Sequence, residues 1–198
     1  YLKEIDMSAT ATPMGAEPVG TLSASGSYTG KVRHYKIASN TSTAIFYGDF
    51  VKMTSDGVVA LDTGTTTLTP IGVFMGCSYT DPNTNQMTFS QYYPASTVAA
   101  DISAYVLNDP FVELRMQGDA TLAQTALGNN AAVVQTAGST SIGRSKNAFD
   151  SSTIATTNTL PVKLIEFVKG PDSAVGDTYT DVIVMFNVGH QLLNTTGI

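Results

Sequence analysis

Cysteine and histidine are the residue types used most often for nucleophilic and metal chemistry, and this chain has them only at Cys77, His34 and His190. A single cysteine supplies no CxxC pair, and within the apolar run 71–77 we expect Cys77 to be a small buried hydrophobe. Zinc needs three or four ligands, which two distant histidines cannot supply. We expect His190, just after the last predicted strand, to hydrogen-bond to the backbone. The sequence predicts no catalytic thiol, metal or cofactor.

Carboxylates are the next candidates, because glycoside hydrolysis needs two of them facing one bond. Most of the available acids stand beside Gly, Pro or Asn, where aspartate accepts hydrogen bonds in turns. Residues 81–85 begin like a calcium loop, but Gln86 replaces the required glycine and Tyr92 replaces the bidentate glutamate. We therefore expect an Asx turn there, no acid pair, and no enzymatic activity. The acids considered are Asp56, Asp101, Asp109, Glu113 and Asp177.

The charge of the chain is low and net negative. Charged residues make up 13% of the sequence, and 16 acids against 10 bases give a net charge of −6. Nucleic acids and anionic membrane surfaces are bound mainly through Lys and Arg, so we expect neither as a partner. No apolar run approaches the roughly 20 residues of a membrane-spanning helix, and the N-terminus lacks the pattern of a signal peptide. A surface rich in hydroxyls and amides favours contact with other protein.

The elements that would position these residues are short strands separated by turn residues. Phe50–Thr54 and Val58–Leu61 flank a Ser-Asp-Gly turn, which predicts a hairpin. Alternate residues of 111–117 are apolar, and 182–186 is apolar on both faces, as in a central strand. This spacing predicts an all-β fold, either an antiparallel β-sandwich or barrel or two small β lobes divided near residue 110.

Three segments depart from the strand pattern. Asp119 and Gly128 are placed as the caps of one short helix near 119–127, which is marginal at about two turns. Residues 137–159 are rich in Ser, Thr and Gly, which predicts turns and a surface loop. Residues 1–25 are not periodic and contain two prolines, which predicts an extended N-terminal arm before a β-rich domain over 26–198. We expect this arm to contact a partner through Tyr1, Leu2, Ile5, Met7, Pro13, Met14 and Pro18.

Several segments, in order along 31–191, carry a resemblance: Tyr35–Asn40, Ile45–Val51, Ile71–Thr80, Phe89–Pro94, Ala104–Pro110, Ala123–Ala131, Leu160–Ile165 and Asn187–Gln191. Together they resemble the capsid decoration, or cement, proteins of tailed-bacteriophage heads. The resemblance implies a structural virion protein that binds the outer capsid surface and stabilises it. Its partners would be the major capsid protein and further copies of itself, as a dimer or trimer. The alternative is a receptor- or glycan-binding β module of a phage fibre or spike.

Overall fold

The computed structural model describes residues 10–22, 31–170, 173–187, 189–193 and 197. Within these residues the fold is all-β, and every pairing between strands is antiparallel. The prediction of an all-β, antiparallel fold is therefore confirmed. The strands are β1 (Glu17–Thr21), β2 (Arg33–Lys36), β3 (Phe50–Met53), β4 (Val59–Leu61), β5 (Gly72–Thr80), β6 (Met87–Ser90), β7 (Ser103–Leu107), β8 (Val112–Gln117), β9 (Asn130–Ala131), β10 (Val133–Val134), β11 (Ala148–Phe149), β12 (Val162–Phe167) and β13 (Asp181–Phe186).

The strands form two main sheets, and neither closes into a barrel. Sheet A has the order β1-β8-β13-β12-β9, and sheet B has the order β2-β7-β5-β3-β4 with β6 also paired to β5. Strands β10 and β11 form a separate two-stranded ribbon. The chain passes from sheet B to sheet A between Leu107 and Val112, close to the division predicted near residue 110.

One hydrophobic core lies between the two sheets. Leu114 and Val184 of sheet A join Phe50, Val73 and Leu107 of sheet B in a single buried cluster. The alternation predicted in β8 is confirmed, because its apolar residues are buried and the intervening ones are not. Strand β13 lies in the middle of sheet A, as its apolar character predicted. The two sheets are thus layers that share this core.

A second hydrophobic cluster covers the other face of sheet B. Phe74 and Cys77 of β5 point into it and pack with Ile45 and Tyr93, which lie outside the strands of sheet B. Strand β5 reaches both clusters because successive side chains point to opposite faces, and a bulge in its pairing with β7 between Phe74 and Cys77 puts these two residues on the same face. Gly76 occupies the bulge with φ +127°, a conformation that L side chains rarely adopt. Sheet B is consequently covered on both faces along part of its length.

The two predicted turns are confirmed. Residues 50–61 form an antiparallel hairpin, closed by hydrogen bonds from the Thr54 amide to the Val58 carbonyl and from the Gly57 amide to the Thr54 carbonyl. The segment that begins like a calcium loop is an Asx turn, since the Asp81 side chain accepts a hydrogen bond from the Asn83 amide at 2.7 Å. Local side-chain bonding therefore accounts for these polar residues.

The structure corrects two local predictions. The segment near 119–127 contains only a 3-10 turn at Gln124–Ala126, because Asp119 accepts hydrogen bonds from Ser151 instead of capping a helix, and Leu122 is buried in the core. The 137–159 segment is not simply a surface loop. It contains β11, whose Phe149 is fully buried in the core. A long-range hydrogen bond determines the conformation of the first segment, and a single buried aromatic ring determines that of the second. Neither feature can be recognised from the local sequence.

Candidate functional site

The cysteine and the conspicuous carboxylates do not converge on a catalytic site. Burial raises the pKa of the Cys77 thiol to about 12, so it is protonated and unreactive at neutral pH. Asp101 accepts hydrogen bonds from the Thr80 hydroxyl and amide, which lower its pKa. Asp109 and Asp177 each accept a backbone amide of their own turn, from Phe111 and Ala174. Asp101, Asp109 and Asp177 thus stabilise separate local structures.

His190 lies in a short segment that fixes the end of the chain to sheet B. Its side chain is fully buried and its Nδ1 accepts a hydrogen bond from the Leu192 amide, which confirms the predicted bond to the backbone. The neighbouring Gln191 side chain bonds both backbone groups of Met53, at 2.8 and 3.1 Å. Burial lowers the pKa of His190 to about 4, and the Ile71 backbone offsets that shift only in part. His190 is thus neutral at neutral pH and packs against the Phe186 ring, the two ring centroids being 4.8 Å apart.

The predicted partner contacts of the arm fall into two groups. Tyr1, Leu2, Ile5 and Met7 lie outside the described residues. Among the others, Met14 is exposed, whereas Pro13 and Pro18 are half-buried. Their role in contacting a partner stays a prediction.

The described part of the arm is fixed to its own domain. The Thr12 amide donates to the Gln117 side chain, and the Ala16 amide donates to the Gly48 carbonyl. Pro18 lies within β1, which is the edge strand of sheet A and therefore needs backbone hydrogen bonds on only one side. Any segment able to reach a neighbouring protein must accordingly lie before residue 10 or elsewhere on the domain.

An exposed apolar strand edge is the first feature of the described surface that suits binding. Strand β6 pairs only with β5, so its second edge is open among the described residues. Met87 and Phe89 alternate with half-buried residues and are 58% and 74% exposed. A flat, uncharged and unpaired edge of this kind readily adds a strand from another chain.

The exposed side chains of β6 continue onto a wider surface, which we call the open face. Phe89 lies opposite Ser78 of β5, and Ser78 lies opposite Ser103 of β7. Tyr105 is two residues further along the same face and stacks at a tilt with His34, the two ring centroids being 4.7 Å apart. The open face is defined by Met87, Phe89, Ser103, Tyr105 and His34. It extends the face of sheet B that packs on sheet A, beyond the part that sheet A covers.

The second feature is a cavity with a buried carboxylate in its wall. The cavity has a volume of about 400 Å³ and is lined by Asp49 and Asn147 together with Phe46, Leu61, Thr63 and Thr136. Asp49 is only 4% exposed, and its carboxylate accepts hydrogen bonds from the Phe46 amide at 2.8 Å and from the Asn147 side chain at 3.3 Å. Burial raises the pKa of Asp49 to about 6, although hydrogen bonds from Ser145 and Phe46 oppose the shift.

Sequence reasoning missed this cavity because Asp49 looks like an ordinary turn aspartate. It follows Gly48, and its amide donates to the Phe46 carbonyl to close a tight turn. A long-range hydrogen bond joins it to Asn147, which comes from the segment predicted to be a surface loop, and Asp49 is buried. The sequence signal that was available is weak: an aspartate between glycine and phenylalanine within an otherwise apolar run.

Three further observations bear on function. Among the described residues, no group of three or more His, Cys, Asp or Glu side chains could hold a metal ion. No helix in that part of the chain is long and apolar enough to cross a membrane. No protein-family model, curated protein or solved structure matches the chain. The open face and the Asp49 cavity are the features on which a functional proposal can be based.

Proposed function

We propose that this chain is a structural protein of a phage virion, a decoration or cement protein that binds the outer surface of the capsid and stabilises it. The observation that carries the proposal is the open face, where a large aromatic side chain stands 74% exposed on an unpaired strand edge. Exposed aromatic and Met side chains are enriched at protein interfaces and dominate their binding energy. The segment resemblance to cement proteins of tailed phages supports the same assignment.

The architecture suits a stabilising role. One core joins the two sheets, so the domain brings a preformed surface to its partner and little ordering cost opposes binding. The net charge of −6 and the small number of charged residues favour a protein partner, here the major capsid protein, over nucleic acid. Repetition on a capsid lattice adds avidity, especially if the chain forms a dimer or trimer, so each contact can be modest.

The test is add-back binding to capsids of the encoding phage from which this protein has been stripped. The chain is mixed in at increasing concentration and the particles are imaged by cryo-electron microscopy. We expect saturating density at symmetry-related positions outside the shell. We expect Phe89→Ser to weaken binding at least about tenfold, as loss of an aromatic anchor does. The matched control is Leu127→Ser, which removes an exposed apolar residue (44%) outside the open face and should bind like the unmodified chain.

A third variant separates the arm from the open face. Residues 12–21 belong to the domain, so the informative truncation removes only residues 1–9. If this truncation abolishes binding while Phe89→Ser does not, the capsid contact lies in the arm and the open face is not the interface. If the full chain does not bind stripped capsids at all, the cement proposal is wrong. Binding to a glycan array would then favour the fibre or spike module.

A further inference from the structure

The Asp49 carboxylate is a buried negative charge without a salt-bridge partner among the described residues. The ion pairs of that part of the chain join Lys52 to Asp62, Arg115 to Asp181 and Arg144 to Glu17. Buried carboxylates in proteins are normally paired with a cation, because desolvation of an isolated charge is costly. Asp62 follows this rule, since it is 1% exposed and lies 3.5 Å from the Lys52 ammonium. Asp49 breaks it.

The groups that surround Asp49 orient its carboxylate without neutralising it. The Phe46 amide, the Asn147 side-chain amide and the Ser145 hydroxyl are all uncharged donors. An ionised carboxylate offers about four acceptor positions, so these three donors leave room for one more.

The charged side chains on the elements packed around the cavity are engaged or face away. On the strand that follows Asp49, Lys52 pairs with Asp62. On the loop that carries Asn147, Arg144 reaches Glu17 and lies over the Tyr47 ring, while Lys146 is exposed to solvent. None of them forms a salt bridge with Asp49. A compensating cation must therefore come from outside this part of the chain.

The cavity has the size and lining to admit such a cation on an aliphatic stem. Its volume of about 400 Å³ is within the range of small-ligand sites. Phe46 and Leu61 supply apolar contact for methylene groups, and the hydroxyls of Thr63 and Thr136 supply polar contacts near the rim. A guanidinium group is more weakly hydrated than an ammonium group, so it loses less hydration free energy on entering such a site. It also binds carboxylates in a planar fork and stacks on aromatic rings.

We propose that the Asp49 cavity binds a cationic side chain, an arginine guanidinium in first place, presented by the protein to which this chain attaches. The identity of that protein rests on the proposed function, but the chemistry of the cavity does not. The bound cation would complete the hydrogen bonding of Asp49 and supply the charge pairing that the described residues do not give it.

The pH dependence of this binding has a defined direction. Burial raises the pKa of Asp49 to about 6, so the carboxylate is mostly ionised at pH 7.5 and mostly protonated at pH 5. Only the ionised form attracts a cation, so affinity should fall as the pH decreases through 6. By linkage, the bound cation should in turn lower the pKa of Asp49.

The probe is Nα-acetyl-L-arginine amide, titrated into the isolated full chain at pH 7.5 and followed by backbone amide NMR shifts. We expect saturable shifts at Ala44 and Thr136, which line the cavity. The neutral isostere Nα-acetyl-L-citrulline amide should bind about tenfold more weakly, because a hydrogen bond between charged groups is lost. At pH 5 the arginine probe should bind several-fold more weakly than at pH 7.5.

The variant Asp49→Asn should lose the preference for the arginine probe over the citrulline probe. The matched control is Asp62→Asn, which removes a buried carboxylate outside the cavity and should keep that preference. If Asp49→Asn does not fold, the citrulline and pH comparisons on the unmodified chain still test whether the cavity prefers a cation. Equal binding of both probes, or shifts confined to residues away from the cavity, would overturn the inference.

This outcome is independent of the capsid assay. Failure of the arginine probe with intact capsid binding overturns only the cavity inference. Selective arginine binding without capsid binding would support the cavity inference and contradict the proposed function.

Discussion

At the scale of single residues, burial shifts the pKa of two side chains in opposite directions. Asp49 has a pKa raised to about 6, so its contribution to stability is greatest below pH 3.8 and is lost as the pH rises through 6. His190 has a pKa lowered to about 4, so its contribution is complete above pH 6.5 and is lost as the pH falls through 4. Over this range the two effects partly cancel in the unmodified chain. Replacing one of the two residues should therefore reveal the effect of the other on the pH dependence of stability.

The acid sensitivity of the fold should depend on His190. In His190→Asn the Leu192 amide keeps an acceptor, but the buried group no longer titrates. We expect the difference in unfolding free energy between the unmodified chain and this variant to shrink by up to about 3 kcal/mol between pH 7 and pH 4, since one pKa unit corresponds to about 1.4 kcal/mol. Urea unfolding at several pH values measures it.

The control for this prediction is His34→Asn, which replaces the exposed histidine. The quantity to compare in the two variants is the pH dependence of the unfolding free energy. If His190→Asn leaves that dependence unchanged, the buried imidazole is not the group that titrates, and the pKa assigned to it is wrong.

Neither buried ionisable group could be recognised as buried from the sequence. Asp49 looks like a turn residue, and His190 looks like a strand-end residue, because the local chain in both cases has those roles. The prediction that His190 hydrogen-bonds to the backbone was correct, although it did not name Leu192 as the partner. Burial of Asp49 depends on Asn147, 98 positions away, and no local pattern reports such a contact. Hydrogen bonds to nearby backbone were thus predictable from the sequence, whereas burial by residues distant in the chain was not.

At the scale of elements, the alternation of apolar and polar residues predicted strands correctly. The hairpin at 50–61 and the alternation in β8 were predicted correctly because turn residues and one-sided burial leave a direct mark on the sequence. The one short helix that the sequence allowed near 119–127 is not formed, because the two caps enclose no periodic apolar face and only a 3-10 turn is present. Whether the aromatic residues at 89–93 and Tyr105 form an interface patch or pack half-buried was left open by the sequence, since exposure of Phe89 depends on how far sheet A extends over sheet B.

The bulge in β5 is the element-scale feature most open to test. Alanine at position 76 would need φ +127° and would place its Cβ 3.0 Å from the Ser90 carbonyl of β6. We expect Gly76→Ala to lower the unfolding free energy by about 2–3 kcal/mol, the cost of a strained backbone plus the contact. Because Ser90 ends β6, NMR shifts should change along the open face as well. Chemical denaturation and amide spectra measure both effects.

Gly57→Ala is the matched control for the bulge. Gly57 also has positive φ, +70°, but an added Cβ would meet no atom within 4 Å. Its replacement should cost only about 1 kcal/mol, the conformational part of the penalty. Equal destabilisation by the two substitutions would mean that the close approach of β6 contributes nothing at Gly76.

At the scale of the whole molecule, the two halves of the sequence form different sheets but share one core. Residues 33–107 build sheet B, while residues 112–186 build most of sheet A, which suggested a division near residue 110. Many contacts cross that division, and two of them involve the ends of the chain. Strand β1 comes from the N-terminal part and pairs with β8 of sheet A, and the Gln191 side chain returns from the C-terminal part to bond Met53 of sheet B. Cutting the chain there would separate the two faces of one core.

We therefore expect fragments 1–109 and 110–198 to be unfolded when prepared separately. Each would expose the apolar face that the other covers, with Phe50 and Val73 on one fragment and Leu114 and Val184 on the other. Fragment 110–198 would keep no buried cluster of its own, and the second cluster kept by fragment 1–109 covers only the face of sheet B that does not pack on sheet A. Mixed together, the fragments should regain the dispersed amide spectrum of the intact chain, because the sheets assemble only as a pair. A dispersed spectrum from either fragment alone would contradict the shared core and would favour two β lobes that fold independently.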